Sequence, residues 1–154
     1  MKRVLIVDFN GTAPTYNYYF VKGLLDEGLD VTVLGKEDKI FTDIHLEKIK
    51  HVGLVSGIKL LDYILNWMML FFLAKKYDVI HFQWLPMLKF TSIELSFLKR
   101  LKSINRNIFY TVHNFYPHNS ISEKVNRRYI ELYKLIDNLV VHADATTVKI
   151  KEQI

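Results

Sequence analysis

No cysteine occurs anywhere in the 154 residues. That excludes a disulfide framework and a thiolate metal site, and makes the cytoplasm the expected compartment. No leader is expected either: Met1-Lys2-Arg3 runs straight into a short β-branched strand, with no signal-peptide core and no small-residue cleavage site, so secretion is not expected. Nor is there an uncharged apolar run of spanning length. The most hydrophobic segment, residues 58–74, is interrupted by Lys59 and Asp62, and the remainder falls short of the ~20 residues a membrane-crossing helix needs. A buried or half-buried helix is expected there. Repeats, low-complexity tracts and evident linkers are also lacking.

Several chemistries are excluded in the same way. The loop after the first strand, FNGTAPTYN, has one glycine, where a dinucleotide-binding dehydrogenase needs three for its backbone to approach a pyrophosphate. A P-loop is absent. No strand ends in a serine elbow flanked by small residues, as a Ser-His-Asp hydrolase requires. The six histidines show no metal spacing: His113 and His118 are five apart across a proline-containing loop, and no carboxylate or thiol cluster accompanies them, so no metal is expected.

What is present is ordinary globular composition, half hydrophobic and a quarter charged, in a length that suits one domain over residues 1–154. Strands are expected at 3–8, 30–34, 51–56, 78–83, 107–112 and 138–142. Helices fall between them, with a short one at 43–50, a long one at 57–76 and a last one at 144–154. Gly28 is placed as a left-handed cap closing the first helix. Thr91 with Glu94, and Ser120 with Glu123, have capping-box spacing. The long helix is expected to bury Leu60, Leu61, Ile64, Leu65, Met68, Phe71 and Phe72, with Trp67 and Met69 widening that face. Phe90, Ile93, Phe97, Leu98 and Leu101 form the stripe of the next one, and Val125, Tyr129, Leu132, Tyr133 and Ile136 that of the one after. Such alternation predicts an α/β fold: a Rossmann-like three-layer αβα sandwich with a mostly parallel sheet of about six strands, its first and fourth strands flanking the switch point.

In a sheet of this kind ligands bind outside the carboxyl ends of the strands. Three strands run out into polar clusters there: Asp8, Asn10, Gly11 and Thr12; Gln83, Trp84 and Pro86; and His113, Asn114, Tyr116, Pro117 and His118. His113, beside an Asn that can both donate and accept, suits a polyhydroxylated ligand or a phosphate. The alternative is that it caps its strand by bonding a neighbouring carbonyl. Trp84 and Tyr116 either stack on a sugar face or sit as aromatics at the rim of the core; His81 reads as a satisfied core histidine. The net charge of +5 concentrates at Lys89, Lys99, Arg100, Lys102 and Arg106, set against Glu94 alone. An anionic membrane surface, a nucleotide phosphate and nucleic acid are each open to such a patch, as is a merely solvated helix face.

The segments MKRVLIVDFNG, YDVIHFQW, YTVHNFYPH and DNLVVHADATT, in this order and spacing, resemble the N-terminal domain of GT-B glycosyltransferases, especially glycosyltransferase family 4. The resemblance implies an acceptor-side domain facing a second, nucleotide-sugar-binding domain across a cleft, and no metal or other cofactor. By the same resemblance His113 matches the histidine that contacts the transferred sugar, and Asn10, Gly11 and Thr12 lie near the donor phosphates. Gln83, Trp84, Asn114, Tyr116 and His118 would line the acceptor side. The expected partners are a donor domain or donor-binding chain, a glycan or lipid-linked acceptor, and the inner membrane face, reached through the basic helix surface. Nucleic acid is not expected, because aromatic and basic residues are not interleaved on one surface. The sequence stops in the first turns of a helix, so a piece of a longer enzyme, inactive alone, is the leading expectation. A non-catalytic subunit of a split glycosyltransferase and a stand-alone Rossmann-like binding module are the alternatives.

Overall fold

The computed structural model describes residues 1–11, 14–35, 50–53, 56–115 and 122–153. Its elements are β1 (Arg3–Asp8), α1 (Pro14–Asp26), β2 (Asp30–Gly35), β3 (Lys50–Val52), α2 (Lys59–Leu73) prolonged by a 3-10 turn (Ala74–Lys76), β4 (Val79–Phe82), α3 (Ile93–Lys102), β5 (Ile108–Val112), α4 (Glu123–Leu135), β6 (Asn138–Val141) and α5 (Asp144–Gln153). The six strands form one sheet in the order β3-β2-β1-β4-β5-β6. Every neighbouring pair is parallel. The α/β, Rossmann-like expectation holds, and the order reverses between β1 and β4 as predicted.

Alternation along the strands divides the interior into two layers. Leu5 and Val7 of β1 face a cluster built with Trp67 and Leu70 of α2, Leu95, Leu98 and Leu101 of α3, and Leu132 and Tyr133 of α4. Val4 and Ile6 point to the opposite face, where Tyr18 and Val21 of α1 cover them. The strands are apolar on both faces because both faces are covered.

Gly28, at φ 75°, ends α1 as expected: its N–H bonds the Leu25 carbonyl and that of Leu29 the Leu24 carbonyl. Gly35 answers to space instead, since a Cβ there would stand 2.0 Å from the Asp8 carbonyl oxygen. Gly35→Ala must push β1 and β2 apart at the functional edge. It is expected to cost about 2 kcal/mol, read as a lowered urea midpoint with an unchanged m-value; an unchanged midpoint would show that the edge yields freely.

Four expectations are corrected. β3 runs over Lys50–Val52, so of the strand expected at 51–56 residues 51 and 52 lie in it, while 54 and 55 are outside the described residues. The long helix buries Asn66, Trp67 and Leu70 and packs Met69 and Phe71 against the core, whereas Leu60, Leu61, Ile64, Met68 and Phe72 of the expected stripe lie outward and exposed. Trp67 decides this: its indole packs on the rings of Phe9, Phe82 and Phe97, and burying so large a ring outweighs burying any one Leu or Met of the outer face. Likewise α3 buries Leu95, Leu98 and Leu101 and leaves Phe90 and Ile93 exposed. Its N-cap is Ser92, not Thr91, and Glu94 turns into the core instead of back to the cap. The cap of α4 is Ser122. Ser120 and residues 43–49 of the helix expected at 43–50 lie outside the described residues, and Lys50 belongs to β3.

Candidate active site

The register sets polar side chains side by side on the α1 face of the sheet's carboxyl edge. Val7 pairs with Phe82 and Val112 with Val141, so the next positions align Asp8 with Gln83, and His113 with His142. Helix α1 lies over this row. Its Asn17 donates to the Asp8 carboxylate at 2.5 Å, and the Gly11 N–H donates to the other Asp8 oxygen at 3.1 Å. Asp8 thereby folds the β1–α1 loop back on itself, with Gly11 in the left-handed region at φ 61° and Asn10 exposed.

His113 is half-buried. Its ring bonds the Gln83 backbone, and Nε2 has no partner among the described residues, which makes Nδ1–H the donor to the Gln83 carbonyl. The strand-cap bond therefore exists. It also fixes the tautomer, so that Nε2 carries a bare lone pair, an acceptor for a hydroxyl. Burial, and next the nearby charge of His142, lower the His113 pKa, against the raising effects of the Gln83 bond and Asp8. The neutral ring is the form at pH 7.

Three rings enclose this imidazole. Tyr16 meets it edge-on at 5.0 Å between centroids, Trp84 at 5.3 Å and His142 at 5.6 Å. Tyr16 also meets His142 edge-on at 5.1 Å. His142, which is exposed, and Trp84, half-buried, sit at the outer side. Below them His81 Nε2 lies 2.8 Å from the Thr111 hydroxyl. His81 is a core histidine, as expected, with its pKa lowered to about 4 by burial and then by the charge of His113.

On its other side His113 opens to a cavity of about 240 Å³ lined by Trp84, Leu85, Pro86, Lys89, Tyr110, His113, Asn114 and Tyr129. Three of the sequence-predicted site residues meet here. Gln83 does not; it is buried behind them, both amide atoms lacking a partner among the described residues. Thr12, Tyr116 and His118 lie outside the described residues.

The cavity wall is held from behind. The fully buried Glu94 accepts the Tyr63 hydroxyl at 2.8 Å, its other carboxylate oxygen having no partner among the described residues, while Arg128 donates to the carbonyls of Leu88 and Lys89 at 3.3 and 3.0 Å. Arg128 takes two of the segment's acceptors, so the backbone at Leu88 and Lys89 is fixed from α4. Reasoning from sequence missed Glu94, Arg128, Tyr16 and His142; for Glu94 the capping-box spacing was a false signal. The basic patch is also altered: Lys99 pairs with Glu131 of α4 and Lys102 with Asp137 just after it, each at 2.8 Å, so two of the five cations are taken up.

Among the described residues no group of three or more His, Cys, Asp or Glu is placed to hold a metal ion. No curated protein sequence matches the chain. Among solved structures it is similar to that of Arabidopsis thaliana UGT89C1 complexed with UDP-L-rhamnose, at 15% identity and a TM-score of 0.48, over 92% of this chain. The chain spans 45% of that structure's length. One family model, described as the N-terminal domain of glucosyltransferase 3-like proteins, matches residues 41–153.

Proposed function

Because the chain belongs to the family of glucosyltransferase 3-like N-terminal domains, we propose that it is the acceptor-side half of an enzyme of the glycosyltransferase family 4 type. That enzyme moves a hexose, glucose in the first instance, from a nucleotide-diphosphate sugar to a glycan or lipid-linked acceptor in cell-surface polysaccharide assembly. A second domain or partner chain supplies most of the donor site. The acceptor oxygen bonds to the anomeric carbon as the bond from that carbon to the diphosphate breaks; the hydroxyl proton is released and the nucleotide diphosphate departs. Helix ends and basic side chains, without a metal, offset the charge of the leaving group.

The observation that carries this reading is the meeting of His113, Trp84 and Asn114 on one cavity outside the carboxyl ends of β4 and β5. The cavity is of monosaccharide size, one wall is an indole on which a sugar's C–H face can lie, and the His113 ring borders it, its Nε2 becoming an acceptor for a hydroxyl once Trp84 or His142 turns aside. Assayed together with the donor-binding domain, Trp84→Ala should raise the acceptor KM about tenfold and leave kcat within about twofold, the mark of lost ground-state binding. An unchanged acceptor KM, or no consumption of nucleotide sugar with any glycan acceptor, would sink the reading.

A further inference from the structure

The outer face of α2 is apolar along its whole length. Leu60, Leu61, Ile64, Met68 and Phe72 are 64, 40, 45, 51 and 77% exposed, and Ile58, just before the helix, 62%. At helical spacing the five occupy one arc of roughly 120°. Helix α3 runs alongside, tied by the Tyr63–Glu94 bond and by the rings of Trp67 and Phe71 on Phe97. Phe90 and Ile93 add two more exposed apolar side chains at its start. A ridge of this kind on a soluble surface marks an interaction site.

The charges around the ridge choose the partner. Lys59, Lys75, Lys76 and Lys89 are exposed, and none is in an ion pair among the described residues. The acid on the helix, Asp62, is engaged by the Ser56 hydroxyl at 2.6 Å. A two-fold contact with a second copy would set these lysines against their own equivalents, whereas an anionic surface complements them. With 15 residues, α2 is too short to cross a bilayer. We propose that the domain rests on an anionic lipid bilayer through α2, which lies in the plane of the interface with Ile64, Met68 and Phe72 in the acyl boundary and the lysines on the lipid phosphates. Lys89 also lines the cavity, and Phe90 follows it directly, so the cavity is then set close to the bilayer surface. That last consequence rests on the acceptor-side reading above; membrane binding does not.

The test is flotation of the chain with vesicles of phosphatidylcholine alone and of phosphatidylcholine with phosphatidylglycerol in equal parts. Binding is expected on the anionic vesicles, with Met68→Ser/Phe72→Ser weakening it about tenfold or more. Lys75→Ala/Lys76→Ala should weaken it on the order of tenfold on anionic vesicles. All four positions are solvent-facing, and an unchanged circular dichroism spectrum and thermal midpoint would confirm that the variants fold. Absence of binding overturns the proposal, as does binding that neither pair of substitutions weakens. A chain that sediments as a dimer, loses this state with Met68→Ser/Phe72→Ser and ignores vesicles would assign the ridge to a second copy. Acceptor turnover with the donor-binding domain, measured without lipid, reports on the glycosyltransferase reading separately.

Discussion

His113→Ala, assayed with the donor-binding domain, is expected to lower kcat/KM by about 100- to 1,000-fold and to cost the chain only about 1 kcal/mol of stability. The disparity follows from the two ring nitrogens. Nδ1–H is tied to the Gln83 carbonyl, an interaction of ordinary strength, and the ring is only half-buried among Tyr16, Trp84 and His142. Nε2 has no partner among the described residues, so in the proposed reaction its contribution is made to a ligand hydroxyl. That bond requires the neutral ring. Since burial lowers the pKa of His113, the acid limb of the kcat/KM profile should fall below the usual imidazole range, and His113→Ala should remove it. If kcat/KM and stability fall by the same roughly 1 kcal/mol, His113 is a strand cap and nothing more.

The sheet could be read from the sequence because β-branched runs such as Val4–Val7 and Ile108–Val112 have to be covered on both faces, and only strands between helices achieve that. The polar strand ends were legible for the same reason: the run stops where coverage stops. Helix α2 was not. Its sequence is apolar almost all round, so periodicity gives no preferred face; the choice falls to Trp67 fitting among Phe9, Phe82 and Phe97, residues from distant parts of the chain. Tyr16 and His142 each look like an unremarkable helix or strand position until the order β1-β4-β5-β6 places them around His113. Glu94 is the plainest case. Its hydroxyl partner, Tyr63, is 31 residues away, and the three-residue spacing to Thr91 pointed to the wrong role.

Glu94→Gln is expected to change the pH dependence of stability more than stability itself. Burial lifts the Glu94 carboxyl from 4.5 to about 7, against the opposing effects of the Tyr63 hydroxyl and the Met87 and Leu88 backbone. Between these values the folded chain binds a proton that the unfolded chain has released. Stability from this group is therefore full below pH 4.5 and is lost as the pH rises to 7, by about 3 kcal/mol. His81 acts in the opposite sense: its pKa falls from 6.5 to about 4, the unfolded chain holds the extra proton, and stability is lost as the pH drops from 6.5 to 4, again by about 3 kcal/mol. From pH 4.5 to 6.5 the two slopes nearly cancel. The neighbouring phenols add none, since Tyr63, Tyr110 and Tyr129 are all raised by burial, Tyr129 to about 12. Glutamine keeps a carbonyl to accept the Tyr63 hydroxyl and cannot ionise, which leaves the His81 slope uncompensated. Urea unfolding at a series of pH values should show Glu94→Gln gaining about 3 kcal/mol over the wild type between pH 4.5 and 6.5. Parallel profiles would mean that Glu94 titrates alike in the folded and unfolded chain.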